Sequence, residues 1–179
     1  MKALSLTLSQ TRYRDLLIVT MASILIAFAG KMSFTLPFTP VQFTFQNNAI
    51  LFAGLLLGSR RGFYAVVLLL FQALIGLPVL SVGSTVGLAR FLGPTGGYLI
   101  AFAISAFVAG WIYENRRTHL GAFVGLSAGL LIQYVIGALW LGHFIGFSNA
   151  FLYGVAPFLL GDTLINLSYR CISPVFRKL

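Results

Sequence analysis

The chain has 179 residues, of which 59% are hydrophobic and 8% charged, and 12 Lys and Arg against 3 Asp and Glu give a formal net charge of +9. Soluble domains are about one quarter charged, so this composition excludes an ordinary soluble domain, and its hydrophobicity excludes intrinsic disorder. Basic residues occur singly or in pairs between long apolar runs, which argues against nucleic-acid binding. The single cysteine, Cys171, excludes an intramolecular disulfide. A protein of the lipid bilayer is therefore predicted.

The uncharged runs predict an all-α integral membrane bundle of six transmembrane helices, forming one domain over residues 1–179. A helix needs about 20 apolar residues to cross the hydrocarbon. In chain order, the predicted helices span about 15–31, 43–58, 62–76, 97–114, 121–141 and 157–176. Pro78 follows the third helix, and the segment 142–146, with a glycine at each end, is expected to end the fifth. Segment 147–156 is either an interfacial piece or the start of the sixth helix.

The distribution of charge predicts the orientation of this bundle. Six spans place Lys31 and Arg90 on one side of the membrane and the other ten of the 12 basic residues on the opposite side. Basic loops are retained in the cytoplasm. Both termini are therefore expected to be cytoplasmic.

Three charged residues lie in or beside the apolar spans on the outer side: Lys31, Arg90 and Asp162. A charge inside a span costs about 2.5–3.5 kcal/mol on insertion scales, so such residues are functional candidates. Together they predict a polar pocket that opens to the outside. Each also has a structural explanation: Lys31 as an interface anchor, Arg90 as a loop charge in water, and Asp162 as a helix N-terminal carboxylate or the ion-pair partner of Arg90.

Aromatic and amide side chains alternate just before the second predicted helix. Ligand pockets combine a mostly apolar lining with a few polar groups, which makes Phe38, Phe43 and Gln46 candidates. Gln46 is the favoured amide because it lies where the segment becomes helical. The alternative is bundle packing with amides bonded between helices. Before the fourth helix, the segment GPTGGY either forms a rigid turn or closes over a ligand with Tyr98 as an aromatic wall.

Two further patterns concern partners and catalysis. Ser23 and Ala27 are four residues apart in the first helix, a spacing that lets another helix approach closely, either in this bundle or in a partner protein. The sequence has no phosphate-binding loop, Ser-His-Asp arrangement or HExxH motif. His119 and His143 fall on opposite sides of the predicted membrane, without a second ligand at metal spacing. No enzyme activity, metal or ATP hydrolysis is therefore expected of this chain.

Several blocks occur in a characteristic order: LPFTPV at 36–41, TFQ at 44–46, AGLLLGSRRG at 53–62, GLPV at 76–79, LGPTGGY at 92–98 and PFLLGD at 157–162. The first and fifth of these blocks are specific in combination. With them, the chain resembles the BioY family, the biotin-specific S-components of energy-coupling-factor (ECF) transporters. The similarity extends over about residues 16–170.

The resemblance implies a six-helix S-component that binds biotin in an outward-facing pocket. It implies as partners a membrane T-component and two ATPase subunits, which hydrolyse ATP, so that this chain needs no cofactor of its own. It further implies a location among the lipids of a bacterial inner (plasma) membrane, and no nucleic-acid partner. Ser23 and Ala27 would form the docking surface for the partner.

The resemblance also suggests roles in the site. Asp162 and Gln46 would bond the ureido ring, Arg90 would bind the carboxylate or the ureido oxygen, and Asn166, one turn after Asp162, would make a weaker contact. The apolar part of biotin would be walled by Phe38, Phe43 and Tyr98.

One position departs from the family pattern. A Lys usually follows the helix-six Asp by three residues, and here that position is Ile165. The replacing cation would be Arg90 rather than Lys31, because a guanidinium can bind a carboxylate through two parallel hydrogen bonds. The open alternatives are an S-component for another small vitamin or a biotin precursor, and a membrane enzyme acting on lipid.

Overall fold

The computed structural model describes residues 2–34, 43–81, 86–159, 161–163 and 166. Its helices are α1 (Lys2–Lys31), α2 (Gln46–Leu57), α3 (Ser59–Leu74), α4 (Leu88–Leu92), α5 (Gly96–Asn115), α6 (His119–Ile145) and α7 (Phe147–Gly154). Residues 156–159, 161–163 and 166 are also helical. Strands β1 (Ser33–Phe34) and β2 (Phe43–Thr44) form a two-residue antiparallel pair. The predicted positions Phe38 and Ile165 lie outside the described residues.

The helices form a bundle in which α5 packs against α6, α2 and α3. Three described segments are long and apolar enough to cross a membrane, namely Arg12–Lys31, Gly96–Asn115 and His119–Ile145, and α2 is a shorter apolar helix. Small residues occupy the helix crossings: a Cβ on Gly54 would lie 2.0 Å from the carbonyl oxygen of Ala106. Membrane helices associate through such close approaches, since lipid offers no hydrophobic driving force between them.

Several helix boundaries differ from the predicted ones, and the second predicted helix begins at Gln46 instead of about 43, because Phe43 and Thr44 lie in β2. The first helix begins at Lys2 instead of about 15, because hydropathy sets the length of a span and not that of a helix that continues into water. The fifth predicted helix was expected to end before 142, but it continues to Ile145 and ends at Gly146, whose φ of +83° favours glycine. The uncertain segment 147–156 contains a separate helix, α7. The loop around Arg90 contains the short helix α4.

Contacts at the two ends of the bundle separate the charged residues into two groups. At one end, the Arg61 guanidinium forms an ion pair of 2.7 Å with Asp15, and the Glu114 carboxylate accepts hydrogen bonds from the Ser59 backbone N–H (2.9 Å) and hydroxyl (2.7 Å). These contacts bring the starts of the α1 span and α3 to the end of α5. The other ends of α1 and α3 carry Lys31 and the segment that leads to Arg90.

Candidate functional site

The centre of the site is the buried carboxylate of Asp162, which is 1% exposed. One oxygen, Oδ1, accepts a hydrogen bond of 2.7 Å from the Asn48 amide on α2. The other, Oδ2, accepts one of 2.7 Å from the Tyr134 hydroxyl on α6. A buried carboxylate is costly unless it is hydrogen-bonded. Helices distant in sequence therefore converge to hold this side chain.

Two amides beside this carboxylate have polar atoms without partners. Asn166 lies one helical turn after Asp162 and is buried. Within the described part of the chain, neither polar atom of its side chain has a hydrogen-bond partner, and neither does the Asn48 Oδ1 atom. An unpaired buried polar group costs about 1–3 kcal/mol. These atoms give the site unused donors and acceptors next to a carboxylate.

The amide beside Asp162 is not the one that the sequence favoured. Gln46 is buried, and its Nε2 group donates to the backbone carbonyls of Val79 (3.0 Å) and Ile26 (3.4 Å). Residues two apart on a helix point about 200° apart, so Gln46 and Asn48 cannot both face the same neighbour. The structure brings Asn48 to the carboxylate, whereas Gln46 joins α1 to the segment after α3.

The two outer cations bind the same segment after α3. The Arg90 guanidinium on α4 donates to the Ser81 hydroxyl (3.0 Å), and its Nε atom is buried without a hydrogen-bond partner among the described residues. Burial lowers the pKa of Arg90 below its ordinary value. The exposed Lys31 donates to the carbonyl of Leu80 (3.2 Å). No ion pair joins Arg90 to Asp162 within the described chain. The suggestion that Asp162 is present as the ion-pair partner of Arg90 is therefore wrong.

Tyr98 lies in the first turn of α5, as predicted, but its hydroxyl is engaged. The side chain is buried, and the hydroxyl donates to the carbonyl of Gly154 at the end of α7 (2.8 Å). The preceding glycine segment packs closely against Trp140 of α6. The Trp140 indole N–H donates to the carbonyl of Gly93 (2.9 Å), and a Cβ on Gly97 would lie 2.2 Å from Trp140 Cβ.

The small-residue stripe of the first helix lies within the bundle. Ser23 is 0% exposed, and its hydroxyl donates to Gln72 on α3 (3.1 Å). Ala27 is partly buried and packs against the core. Within this chain, the Ser23 hydroxyl finds its partner on a neighbouring helix, as polar side chains in apolar surroundings do. Its predicted role in partner docking stays a prediction, and such a role would require α1 to move away from α3.

The aromatic segment before α2 is described in part. Phe43 lies in β2, where it pairs with Phe34, and Ser33 pairs with Thr44. This strand pair directly follows the α1 end that carries Lys31. Sequence reasoning overlooked Tyr134 altogether. A tyrosine one residue after Gln133, in the middle of the uncharged run from 120 to 161, was the signal that could have marked it.

Fold and site together describe a small helical membrane protein that holds one carboxylate among amides in its interior. The model of the BioY family matches residues 2–179. The chain is 41% identical to the "Probable biotin transporter BioY" of Pyrococcus horikoshii over 69% of this chain and 72% of that protein. It is 36% identical to the "Biotin transporter BioY" of Rhizobium etli over 84% of this chain and 86% of that protein.

A solved structure agrees with the sequence comparisons. The S-component for biotin from an ECF-type ABC transporter is similar with a TM-score of 0.84 and 30% identity, covering 95% of this chain and 94% of that one. The chain belongs to the BioY family. The predicted family and the helical S-component-like fold are confirmed, and these relatives are transporters and not enzymes.

Proposed function

We propose that this chain is the biotin-binding membrane subunit of a vitamin uptake transporter. The observation that carries the proposal is the Asp162 site, in which a buried carboxylate lies beside amide atoms that have no partner. The biotin specificity in the names of its relatives supports the choice of ligand.

The chemistry of the ureido ring fits these groups. The ring offers two N–H donors and one carbonyl acceptor, and an ionised carboxylate can accept about four hydrogen bonds. Asp162 uses one on each oxygen and can accept the ureido N–H groups with the remainder. The Asn166 amide can donate to the ureido carbonyl, and the Asn48 oxygen is a further acceptor. Tyr134 holds the Asp162 carboxylate in place. Gln46 does not contact the ligand in this proposal, and it supports the fold by joining α1 to the segment after α3.

The valerate carboxylate needs a cation on the outer side. We assign this role to Arg90, whose Nε atom is buried without a described partner and whose planar group can bind a carboxylate with two hydrogen bonds. Lys31 is the second choice, because it is exposed and bonded to a backbone carbonyl. Phe38, Phe43 and Tyr98 would wall the apolar part of the ligand.

The proposal extends to topology and partners. Six spans, with both termini in the cytoplasm, would put the end of the bundle with Asp15, Arg61 and Glu114 inside the cell and the end with Lys31 and Arg90 outside. A T-component and two ATPases would supply the energy for release. Because Ser23 is buried, these partners would contact the exposed face of α1, which includes Leu17, or would require α1 to move.

Equilibrium binding of radiolabelled biotin to the purified, detergent-solubilised chain tests the proposal. Saturable binding that dethiobiotin displaces, and that lipoate, riboflavin and thiamine do not, is the expected result. Displacement by another vitamin instead of biotin would identify a different S-component. Absence of binding by a folded, monodisperse protein would refute capture by this chain alone.

A further inference from the structure

A surface groove of about 780 Å³ lies where α5 ends and α6 begins, far along the bundle from the Asp162 site. Its lining is mostly apolar and includes Trp111, Ile112, Arg116, Arg117, Leu120 and Val124. The groove therefore combines an apolar surface with two adjacent cations.

The two arginines are available for an external anion. Both side chains are exposed, and neither forms an ion pair with a described residue. The acid that precedes them, Glu114, is already bonded to the backbone and hydroxyl of Ser59. Two neighbouring guanidinium groups without a counter-ion suit a phosphate, which they can bind through paired N–H donors.

The position of the groove favours a lipid over a soluble anion. It lies at the ends of two helices that are each long and apolar enough to cross the membrane. Trp111 is 55% exposed and Leu120 is 68% exposed, and tryptophan is typical of the boundary between hydrocarbon and headgroups. A soluble anion would neutralise the arginines but leave this apolar surface uncovered.

We propose that the groove binds an anionic phospholipid. Arg116 and Arg117 contact the phosphate, while an acyl chain lies along Trp111, Leu120 and Val124. In the orientation proposed above, the groove faces the cytoplasmic leaflet, whose anionic lipids attract basic segments next to spans. The site is separate from the proposed biotin site, so either can fail without the other.

Tryptophan fluorescence tests this proposal directly, because the chain has only two tryptophans. The variant W140F leaves Trp111 as the reporter. We expect phosphatidylglycerol with brominated acyl chains to quench Trp111 at about tenfold lower mole fraction than phosphatidylcholine with the same chains. Native mass spectrometry of the chain with both tryptophans gives the same comparison through the lipid that each sample retains.

Matched variants separate a site from general charge attraction. In R116Q/R117Q the preference for phosphatidylglycerol should disappear, whereas R12Q/R14Q removes equal charge outside the groove and should keep it. Helix content by circular dichroism shows that each variant is folded. Equal quenching by both lipids, equal loss in both double variants, or abolition of the preference by millimolar inorganic phosphate would overturn the proposal.

Discussion

Substitution of Asn48 by Ala tests the arrangement around Asp162 most directly. The change removes the 2.7 Å hydrogen bond from Asn48 Nδ2 to the carboxylate, together with the nearby unpaired acceptor Oδ1. Loss of the Oδ1 acceptor leaves a buried N–H of the bound ureido ring without a partner, which costs about 1–3 kcal/mol. Since about 1.4 kcal/mol corresponds to a factor of ten in Kd, the variant N48A should weaken biotin binding about fivefold to a hundredfold.

The chain offers a matched control on the same helix. Gln46→Ala removes another buried amide, but its hydrogen bonds go to the backbone carbonyls of Ile26 and Val79. This variant should lower thermal stability and change the Kd for biotin by less than about threefold. A threefold change corresponds to a smaller free energy than the loss of one hydrogen bond to a charged group. Titration of both purified variants with radiolabelled biotin makes the comparison. If Q46A weakens binding as much as N48A does, the assignment of Asn48 as the amide of the site is refuted.

Four further substitutions test the other contacts described above. Asp162→Ala and Arg90→Ala should each weaken biotin binding at least tenfold, or about 1.4 kcal/mol, and unchanged titrations for both variants would remove these residues from the site. Tyr98→Phe loses the buried hydrogen bond to Gly154. It should lower the free energy of unfolding by about 1 kcal/mol and leave the Kd for biotin nearly unchanged. An unaltered melting temperature would contradict this. Ser23→Leu places a large side chain between α1 and α3 and should destabilise the isolated chain by about 1–3 kcal/mol. If it leaves thermal unfolding unchanged and abolishes only transport, Ser23 faces a partner after all.

The sequence could predict the helices but not their contacts. Long uncharged runs marked the segments that became α1, α2, α5 and α6, since a span must be apolar over about 20 residues. The predicted end of α6 was wrong because the sequence alone does not distinguish Gly142, which lies inside the helix, from Gly146, which follows it. Only the φ of +83° at Gly146 distinguishes them.

The site was predicted in outline for a similar reason. Asp162 was identifiable because a lone carboxylate in an apolar span is costly and needs an explanation. Its partners were not, because Asn48 and Tyr134 lie 114 and 28 residues away in the chain. Ser23 shows the same limit, since small-residue spacing indicates a close helix contact without indicating which helix makes it.

The sequence by itself determined that this protein belongs in a bilayer and that it is helical. It also identified the charged residues whose burial in an apolar span is costly, and the family that its ordered blocks indicate. These properties depend on composition and on local spacing. The tertiary structure alone decided that Asn48 and not Gln46 faces Asp162, that Ser23 lies inside the bundle, and that Arg116 and Arg117 border an apolar groove. The first two outcomes depend on the rotation of a helix about its own axis, which is set by packing against neighbours distant in the chain. The third depends on how the loop between α5 and α6 places two side chains beside those helices.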